Sequence, residues 1–431
     1  MKYYCIGIKG SGMATLANIL FDLGNEVSGY DDVKENKFTQ EGLDKRGIKI
    51  YYGENHLIDK DTIVTYSAAF SQNHPEIKLV KSLGLTIKSY NDIIGDISRE
   101  FKTICICGTH GKTTTTSLIS HILKNTIGCN YFIGDGSGYA SKSNTLFALE
   151  SCEFNKHFLA YSPYVTVITN IELEHTECYN GIKDIRDTFK VFANKSSNYI
   201  LGCGDDKNIR KIKFDKEVLY YGFNDDNDYV IRDLKSTLLG ETFKVYNNDK
   251  LLIDTFIPLV GKHMVLDAVA AIIVCNKEGV SFENINKLLS NFVNAKNRFN
   301  EEVYKNNIII NDYAHHPTEI RVTIEAAREK YPNKKVIAIF KPNTYSRTES
   351  FLDMYVKSLD LADYSYVTPI ESNRESISEY PNIRSENIVN KLKHGELLTN
   401  VDVLDKYENS ILVFMSCADI THLIDEYKLT K

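Results

Sequence analysis

Apolar and polar residues follow two alternating patterns along this chain. Short apolar runs, such as Ile63-Val64-Thr65-Tyr66, Thr103-Ile104-Cys105-Ile106, Val165-Thr166-Val167-Ile168, Ile308-Ile309-Ile310 and Val336-Ile337-Ala338-Ile339-Phe340, have the length and branching of buried strands. Between them lie amphipathic stretches with apolar residues at helical spacing, for example Pro317 to Lys330. This alternation predicts an α/β fold built on largely parallel sheets. Polar interruptions at Asp96 to Lys102 and at Asn294 to Asn300 predict domain boundaries, giving three domains over residues 1–100, 101–296 and 297–431. From Val218 to Ile257 residues alternate around the turn-like Asn224-Asp225-Asp226-Asn227 and Asn247-Asn248-Asp249, which predicts a small antiparallel β insertion in the central domain.

Composition narrows the class of function. The formal charge of −6 gives no general attraction to nucleic acid or anionic membranes, so any phosphate site must be built locally. No charge-free apolar segment reaches ~18 residues, which argues against a membrane span. The apolar stretch at Met1 to Lys9 is too short for a signal peptide. Cys5, Cys105, Cys107 and Cys275 sit within or beside apolar runs, as reduced cysteine does when used as a small hydrophobe. These features predict a cytoplasmic protein.

The segment Gly108-Thr109-His110-Gly111-Lys112-Thr113 follows a buried strand and precedes the helix-like Thr114 to Leu123. That context suits a phosphate: backbone N–H groups and the helix N-terminus face the anion, and a lysine adds a point charge. Thr113 would offer its hydroxyl to Mg²⁺. The usual eight-residue pattern is not met, since Ile106 stands where its first glycine belongs. Two further strands end in Glu150 and in Thr169-Asn170-Ile171-Glu172-Leu173-Glu174-His175. Ligands of open α/β sheets gather at such strand ends, so Glu150, Glu174 and His175 are candidates to converge near Thr113 on Mg²⁺. The alternative is that they are solvated loop residues.

A second glycine turn, Gly7-Ile8-Lys9-Gly10-Ser11-Gly12, opens the chain after a strand. Its glycines lack the dinucleotide spacing, but a nucleotide diphosphate suits it, and Asp31 ends the next strand where an acid often meets a ribose hydroxyl. The competing reading is a turn needed only for tight strand–helix packing.

Taken together, these segments resemble the Mur ligase family. The resemblance rests on Gly7 to Met13, Gly108 to Thr116, Glu150-Ser151-Cys152-Glu153-Phe154 with His157-Phe158-Leu159, and Thr169-Asn170-Ile171 with His175. It continues through Arg298-Phe299-Asn300-Glu301, Asp312-Tyr313-Ala314-His315-His316-Pro317 and Tyr345-Ser346-Arg347-Thr348. The Asp-Tyr-Ala-His-His-Pro segment points to the alanine-adding branch and its close relatives.

The resemblance implies a Rossmann-like UDP-binding domain, a central ATPase domain and a C-terminal Rossmann-like domain that closes over the site. It implies ATP and Mg²⁺ as cofactors, UDP-N-acetylmuramate and L-alanine as substrates, and a monomer or weak homodimer. The UDP-sugar falls to Gly10, Ser11, Gly12, Asp31 and Ser67. The nucleotide falls to Gly108, Thr109, His110, Gly111, Lys112, Thr113 and Thr114, with Arg298 reaching it. Lys112 would hold the β/γ-phosphates, and Thr113, Glu150 and His175 the metal. Asp312, His315 and His316 would lie near the reacting groups, and Arg347 would neutralise an oxyanion or the alanine carboxylate. Read without the family, Arg347 is a helix-start arginine and His315 and His316 a capping pair.

Several positions depart from the family pattern. Glu174 replaces an aspartate, Met264 and Asp267 an asparagine pair, and Asn311 the first acid of an acid pair. Lys341 and Asn343 replace a glutamine and a histidine, and Ser416-Cys417-Ala418-Asp419 a glycine-rich turn. These leave open a relative that attaches a peptide or another amino acid, and a nucleotide-binding relative without turnover. An NAD-dependent oxidoreductase is a third reading, against which the glycine spacing speaks.

Overall fold

The computed structural model describes residues 1–53, 58–67, 69–294, 298–372 and 375–429. Residues 295–297, within the predicted second boundary, lie outside this set. The described chain forms three sheets. The first holds β1 (Lys2–Ile6), β2 (Glu26–Tyr30), β3 (Lys49–Tyr51), β4 (Thr62–Tyr66) and β5 (Thr86–Ile87), in the order β3-β2-β1-β4-β5 with every pair parallel. Tyr4, Ile6, Val64, Ile77 and Val80 form its core.

The central sheet contains β6 (Lys102–Cys107), β7 (Asn130–Phe132), β8 (Gly138–Tyr139), β9 (Leu146–Glu150), β10 (Val165–Ile168), β11 (Ile200–Cys203) and β12 (Val218–Gly222). It continues into β13 (Tyr229–Thr237), β14 (Gly240–Asn247) and β15 (Lys250–Ile257). The order is β15-β14-β13-β12-β11-β10-β6-β9-β7-β8. β6 is buried from Thr103 to Cys107, as expected of a strand covered on both faces. All nine cysteines are free thiols, and Cys5, Cys105, Cys107, Cys129, Cys203 and Cys275 are buried as packing residues.

The predicted antiparallel insertion is corrected in its extent. β12 pairs parallel with β11, and β13 parallel with β12, so Val218–Gly222 is a regular strand of the main sheet. Only β13 to β15 form a meander, joined by two-residue turns, and it extends the same sheet. Asn248 and Asp249, at φ 48° and 57°, supply the left-handed pair that a tight hairpin needs.

The last sheet runs β16-β17-β21-β18-β19-β20, from β16 (Asn300–Tyr304), β17 (Asn307–Asp312), β18 (Val336–Phe340), β19 (Tyr364–Val367), β20 (Gly395–Leu397) and β21 (Ile411–Met415). Only its edge pair β16–β17 is antiparallel. The chain divides into two compact units: Met1–Leu234, Phe243–Ile257 and Leu266–Phe292 in one, and Lys235–Thr242, Pro258–Val265 and Val293–Lys431 in the other. Among the described residues no helix is long and apolar enough to cross a membrane.

Candidate active site

In the first sheet the strand order reverses direction between β1 and β4, and the crevice at such a point is where open α/β sheets take ligands. Gly7 follows β1 and Ser67 follows β4. A Cβ on Gly7 would lie 2.9 Å from the Ser67 Cβ and 2.8 Å from the Phe70 ring, and its φ of +77° suits glycine alone. Tyr30 O accepts from the N–H of Gly7 (2.7 Å) and Ile8 (3.1 Å), which curls the turn. The helix Ser11–Asp22 then begins at Gly10 with no side-chain cap and no acid in its first turn. Gly10, Ser11, Gly12 and Ser67 thus gather at one uncapped helix N-terminus, a suitable seat for a phosphate.

Asp31 sits beside them. It is buried, and its two oxygens accept from Lys9 N (2.9 Å) and Val33 N (3.1 Å). The carboxylate braces the turn. Lys9, buried as well, donates from Nζ to the carbonyls of Val33, Lys34 and Glu35 and holds the following loop.

The second loop follows β6, which lies between β10 and β9, so Gly108, Thr169 and Glu150 meet at one sheet edge. Gly108 adopts φ +142°, and a Cβ there would fall 2.1 Å from Thr169 Oγ1. Thr109 N donates to Asn170 O at 3.1 Å, and His110 N to Asn170 Oδ1 at 2.8 Å. Thr169 Oγ1 and Asn170 Nδ2 donate back to His110 O. Gly111, at φ +80°, caps the helix Lys112–Lys124. A Cβ on Gly111 would meet Asp267 Oδ1 at 2.5 Å, and Thr115 donates to that same oxygen. The departure at Asp267 therefore lies under the loop, bonded to its helix.

Thr113 Oγ1 donates to Glu150 Oε1 at 3.0 Å, and Gly134 N donates to Glu150 Oε2 at 2.7 Å. Lys112 Nζ reaches Thr109 O (3.0 Å) and pairs with the buried Glu153 (3.0 Å). His175, at φ 53°, lies 3.6 Å from Glu153 and 3.7 Å from Glu177. Ligand atoms of Glu153, Glu174 and His175 fall within 4.8 Å of one another. Thr113 and Glu150 thus form one pair, while His175 joins a group containing Glu153, an acid that sequence reasoning missed. Its signal was a second acid three residues beyond the strand-ending Glu150.

Burial alone would lower the pKa of His175, but Glu153, Glu177 and Glu174 push it up to about 9. Burial opposes ionisation of Glu153, yet Lys112 and His175 hold it below the usual carboxylate value. Against burial, Glu153, Cys152 and Glu174 raise Lys112 above its ordinary value. A hydroxyl and a carboxylate beside a phosphate loop are the hard oxygen donors Mg²⁺ takes, so the residues present fit that ion.

In the other unit, β17 ends at the buried Asp312, whose carboxylate accepts from Phe299 N (2.8 Å), Ala314 N (2.8 Å) and Thr323 Oγ1 (3.2 Å). Burial raises its pKa, while Arg298 and the backbone donors work the other way. Asp312 fixes the segment that carries Arg298, whose guanidinium lies 4.7 Å over the Tyr313 ring. His316 caps the helix Pro317–Lys330 in a capping box with Glu319. The Glu319 carboxylate accepts from His315 N (2.9 Å) and His316 N (3.1 Å) and lies 3.0 Å from His315 Nδ1. The His316 side chain therefore serves as the cap, accepting from Thr318 N, while the backbone of the His-His pair donates to Glu319.

Arg347 stands half-buried in the first turn of the helix Tyr345–Leu359. That helix end is capped by Glu375, which accepts from Tyr345 N (2.6 Å), Ser346 N (3.2 Å) and the Ser346 hydroxyl. Glu375 is a second residue that sequence reasoning missed.

Comparison with known proteins adds three matches and several relatives. Residues 2–102 match the Mur ligase family catalytic domain, 106–275 the Mur ligase middle domain, and 297–420 the Mur ligase glutamate ligase domain. The chain is 40% identical to a UDP-N-acetylmuramate–L-alanine ligase of Lacticaseibacillus paracasei, over 97% of this chain and 96% of that one. Among solved structures it resembles the UDP-N-acetylmuramate-alanine ligase MurC of Thermotoga maritima, with TM-score 0.79, 25% identity, and 99% and 98% of the two chains covered. A murein peptide ligase of Psychrobacter arcticus shares the fold, with TM-score 0.72, 20% identity, and 100% and 99% covered.

Proposed function

We propose that this chain, which belongs to the Mur ligase family in all three of its domains, joins L-alanine to UDP-N-acetylmuramate at the expense of ATP, in the synthesis of peptidoglycan precursors. The observation that carries the reading furthest is the loop Gly108 to Thr113, with its lysine and its threonine–glutamate pair, on a chain 40% identical to a ligase of that name.

A free carboxylate is a poor acylating agent. In the proposed reaction the muramate carboxylate attacks the γ-phosphorus of ATP, the bond to ADP breaks, and an acyl phosphate forms. The alanine amine then attacks its carbonyl, loses a proton, and expels inorganic phosphate. Backbone N–H groups of the loop and Lys112 hold the phosphates, and Lys112 stabilises charge during the transfer. Thr113 and Glu150 would hold Mg²⁺, with His175 and Glu153 beside them. When bound, the ion neutralises phosphate charge. In the C-terminal unit we assign Arg298 to the nucleotide and Arg347 to the carboxylate of the incoming amino acid. Asp312, His315 and His316 set the positions of these groups. We take domain limits near residues 100 and 296, a cytoplasmic location where both nucleotide substrates are made, and a monomer or weak dimer.

The test is ADP release from Mg-ATP and UDP-N-acetylmuramate across single amino acids and short peptides. Fastest turnover with L-alanine is expected. Release only with a peptide would move the chain to the peptide-attaching relatives, and none with any partner, from folded ATP-binding protein, would refute a ligase.

A further inference from the structure

The two glycine loops lie in one compact unit, and one side chain stands between them. Tyr90 opens the helix Tyr90–Glu100, which Ser89 caps. A Cβ built on Gly12 would lie 2.6 Å from the Tyr90 hydroxyl, so the phenol fills the space beside the second residue of the helix Ser11–Asp22. Among the described residues this hydroxyl has no hydrogen-bond partner. Its ring meets Phe132 edge-on, with centroids 6.4 Å apart. Phe132 ends β7, and two residues later Gly134 N donates to Glu150, the carboxylate bonded to Thr113. Burial pushes the phenol's pKa up, and the charges of Cys152 and Glu150 act on it in the same direction. The helix is held firmly: Gly95 faces Ala160 O so closely that a Cβ would fall 2.5 Å away, and Tyr161 OH donates to Asn91. Tyr90 is thus a rigidly mounted donor at an uncapped helix N-terminus, on the side facing the phosphate loop's carboxylate.

We propose that the Tyr90 hydroxyl is a substrate-binding residue that donates to the diphosphate of the UDP-sugar at the start of the helix Ser11–Asp22. It thereby orients the sugar's carboxylate toward the Thr113–Glu150 pair. The inference rests on the reading of the first turn as the UDP-sugar site. It also explains Gly12, since any side chain there would displace the phenol.

Calorimetric titration of the full chain separates the two ideas. Tyr90→Phe is expected to raise the Kd for UDP-N-acetylmuramate about tenfold, the effect of losing one hydrogen bond to a charged group. Its Kd for Mg-ATP and its melting temperature should match wild type, and in turnover KM for the UDP-sugar should rise more than kcat falls. Gly12→Ala should weaken the same ligand, yet cost less than about twofold more in the Tyr90→Phe background, because the two changes act on one contact. An unchanged Kd for UDP-N-acetylmuramate in Tyr90→Phe would overturn the role of Tyr90. So would equal losses for both nucleotides with a lower melting temperature, which mark a packing role. A wild-type chain that binds Mg-ATP but no UDP-N-acetylmuramate would overturn the reading of the turn itself.

Discussion

The phosphate loop should fail on the addition of a single methyl group. In Gly108→Ala the new Cβ would lie 2.1 Å from Thr169 Oγ1, 3.0 Å from Asn170 O and 3.1 Å from Asn170 N. Rotating the Thr169 hydroxyl away relieves the first contact but gives up its bond to His110 O, worth about 1 kcal/mol. The other two contacts are to backbone and cannot be relieved by a rotamer. The φ of +142° adds about 1–3 kcal/mol of strain for an alanine, and overpacking adds about 1–3 kcal/mol more. A total of about 3–7 kcal/mol is a large share of a domain's ~5–15 kcal/mol stability. For a unit of this size that means a melting temperature lower by roughly 6–28 °C, with Mg-ATP affinity lost wherever the loop relaxes instead of the fold. Differential scanning calorimetry and nucleotide titration read the two outcomes separately. Adding Thr169→Ala should recover only part of the loss, because the strained φ and the Asn170 contacts remain. A Gly108→Ala protein that melts and binds Mg-ATP like wild type would refute the steric argument.

Other outcomes follow from the same geometry. Lys112→Ala should abolish ADP release in a coupled assay while circular dichroism stays that of the wild type; ordinary turnover would remove Lys112 from the reaction. In metal-free protein, NMR titration should place His175 at about 9, and Glu153→Gln should bring it back toward 6.5. Because the folded value is raised, the stabilisation of about 3 kcal/mol at most is fully present below pH 6.5 and is lost as pH rises through 9; denaturant melts of His175→Gln should lack that loss. Glu375→Ala should cost about 1 kcal/mol at the helix start and raise KM for L-alanine more than for ATP. Asn343→His should change KM for the amino acid and leave ATP binding intact, as parallel steady-state assays would register.

What was legible in the sequence was local. The strand, the loop Gly108 to Thr113 and the helix after it are contiguous, and each glycine announces a backbone need that the structure bears out at Gly108 and Gly111. The strands around them were legible because burial on both faces leaves continuous apolar runs. Glu153 was not, because its meaning lies in Lys112, 41 residues earlier in the chain. Glu375 caps a helix that begins 30 residues before it, whereas helix-start signals are sought just ahead of the helix. Asp31 shows a different difficulty. An acid at the end of a second strand can meet a ribose and brace the adjoining turn, and only the Lys9 and Val33 amides on its oxygens make the bracing role visible. The β insertion was drawn too wide because alternation over Val218–Gly222 cannot by itself distinguish an edge hairpin from a strand joined parallel to β11.

The departures from the family pattern in the C-terminal sheet lie together. β21 lies between β17 and β18, so Asp312, Met415 and Phe340 are in register and the residues after them meet at one edge. Ser416 N donates to Asp312 O, and its hydroxyl donates to Lys341 O. Lys341 Nζ reaches Asp419 O and pairs with Glu371 at 2.8 Å. Asn343 Nδ2 lies 3.5 Å from Cys417 Sγ. Lys341 therefore touches Ser416 and Asp419, Asn343 touches Cys417, and the buried lysine has an acid partner, as a buried charge requires. These contacts join Lys341, Asn343, Ser416, Cys417 and Asp419 into one cluster, which lies beside the helix that carries Arg347. The loop Gly108 to Thr113 and the Glu150 and His175 side chains lie in the other unit and keep the family's residues, while Glu174 and Asp267 beside them do not. Variation in this chain is therefore expected in its treatment of the amino acid, while its use of ATP should follow the family.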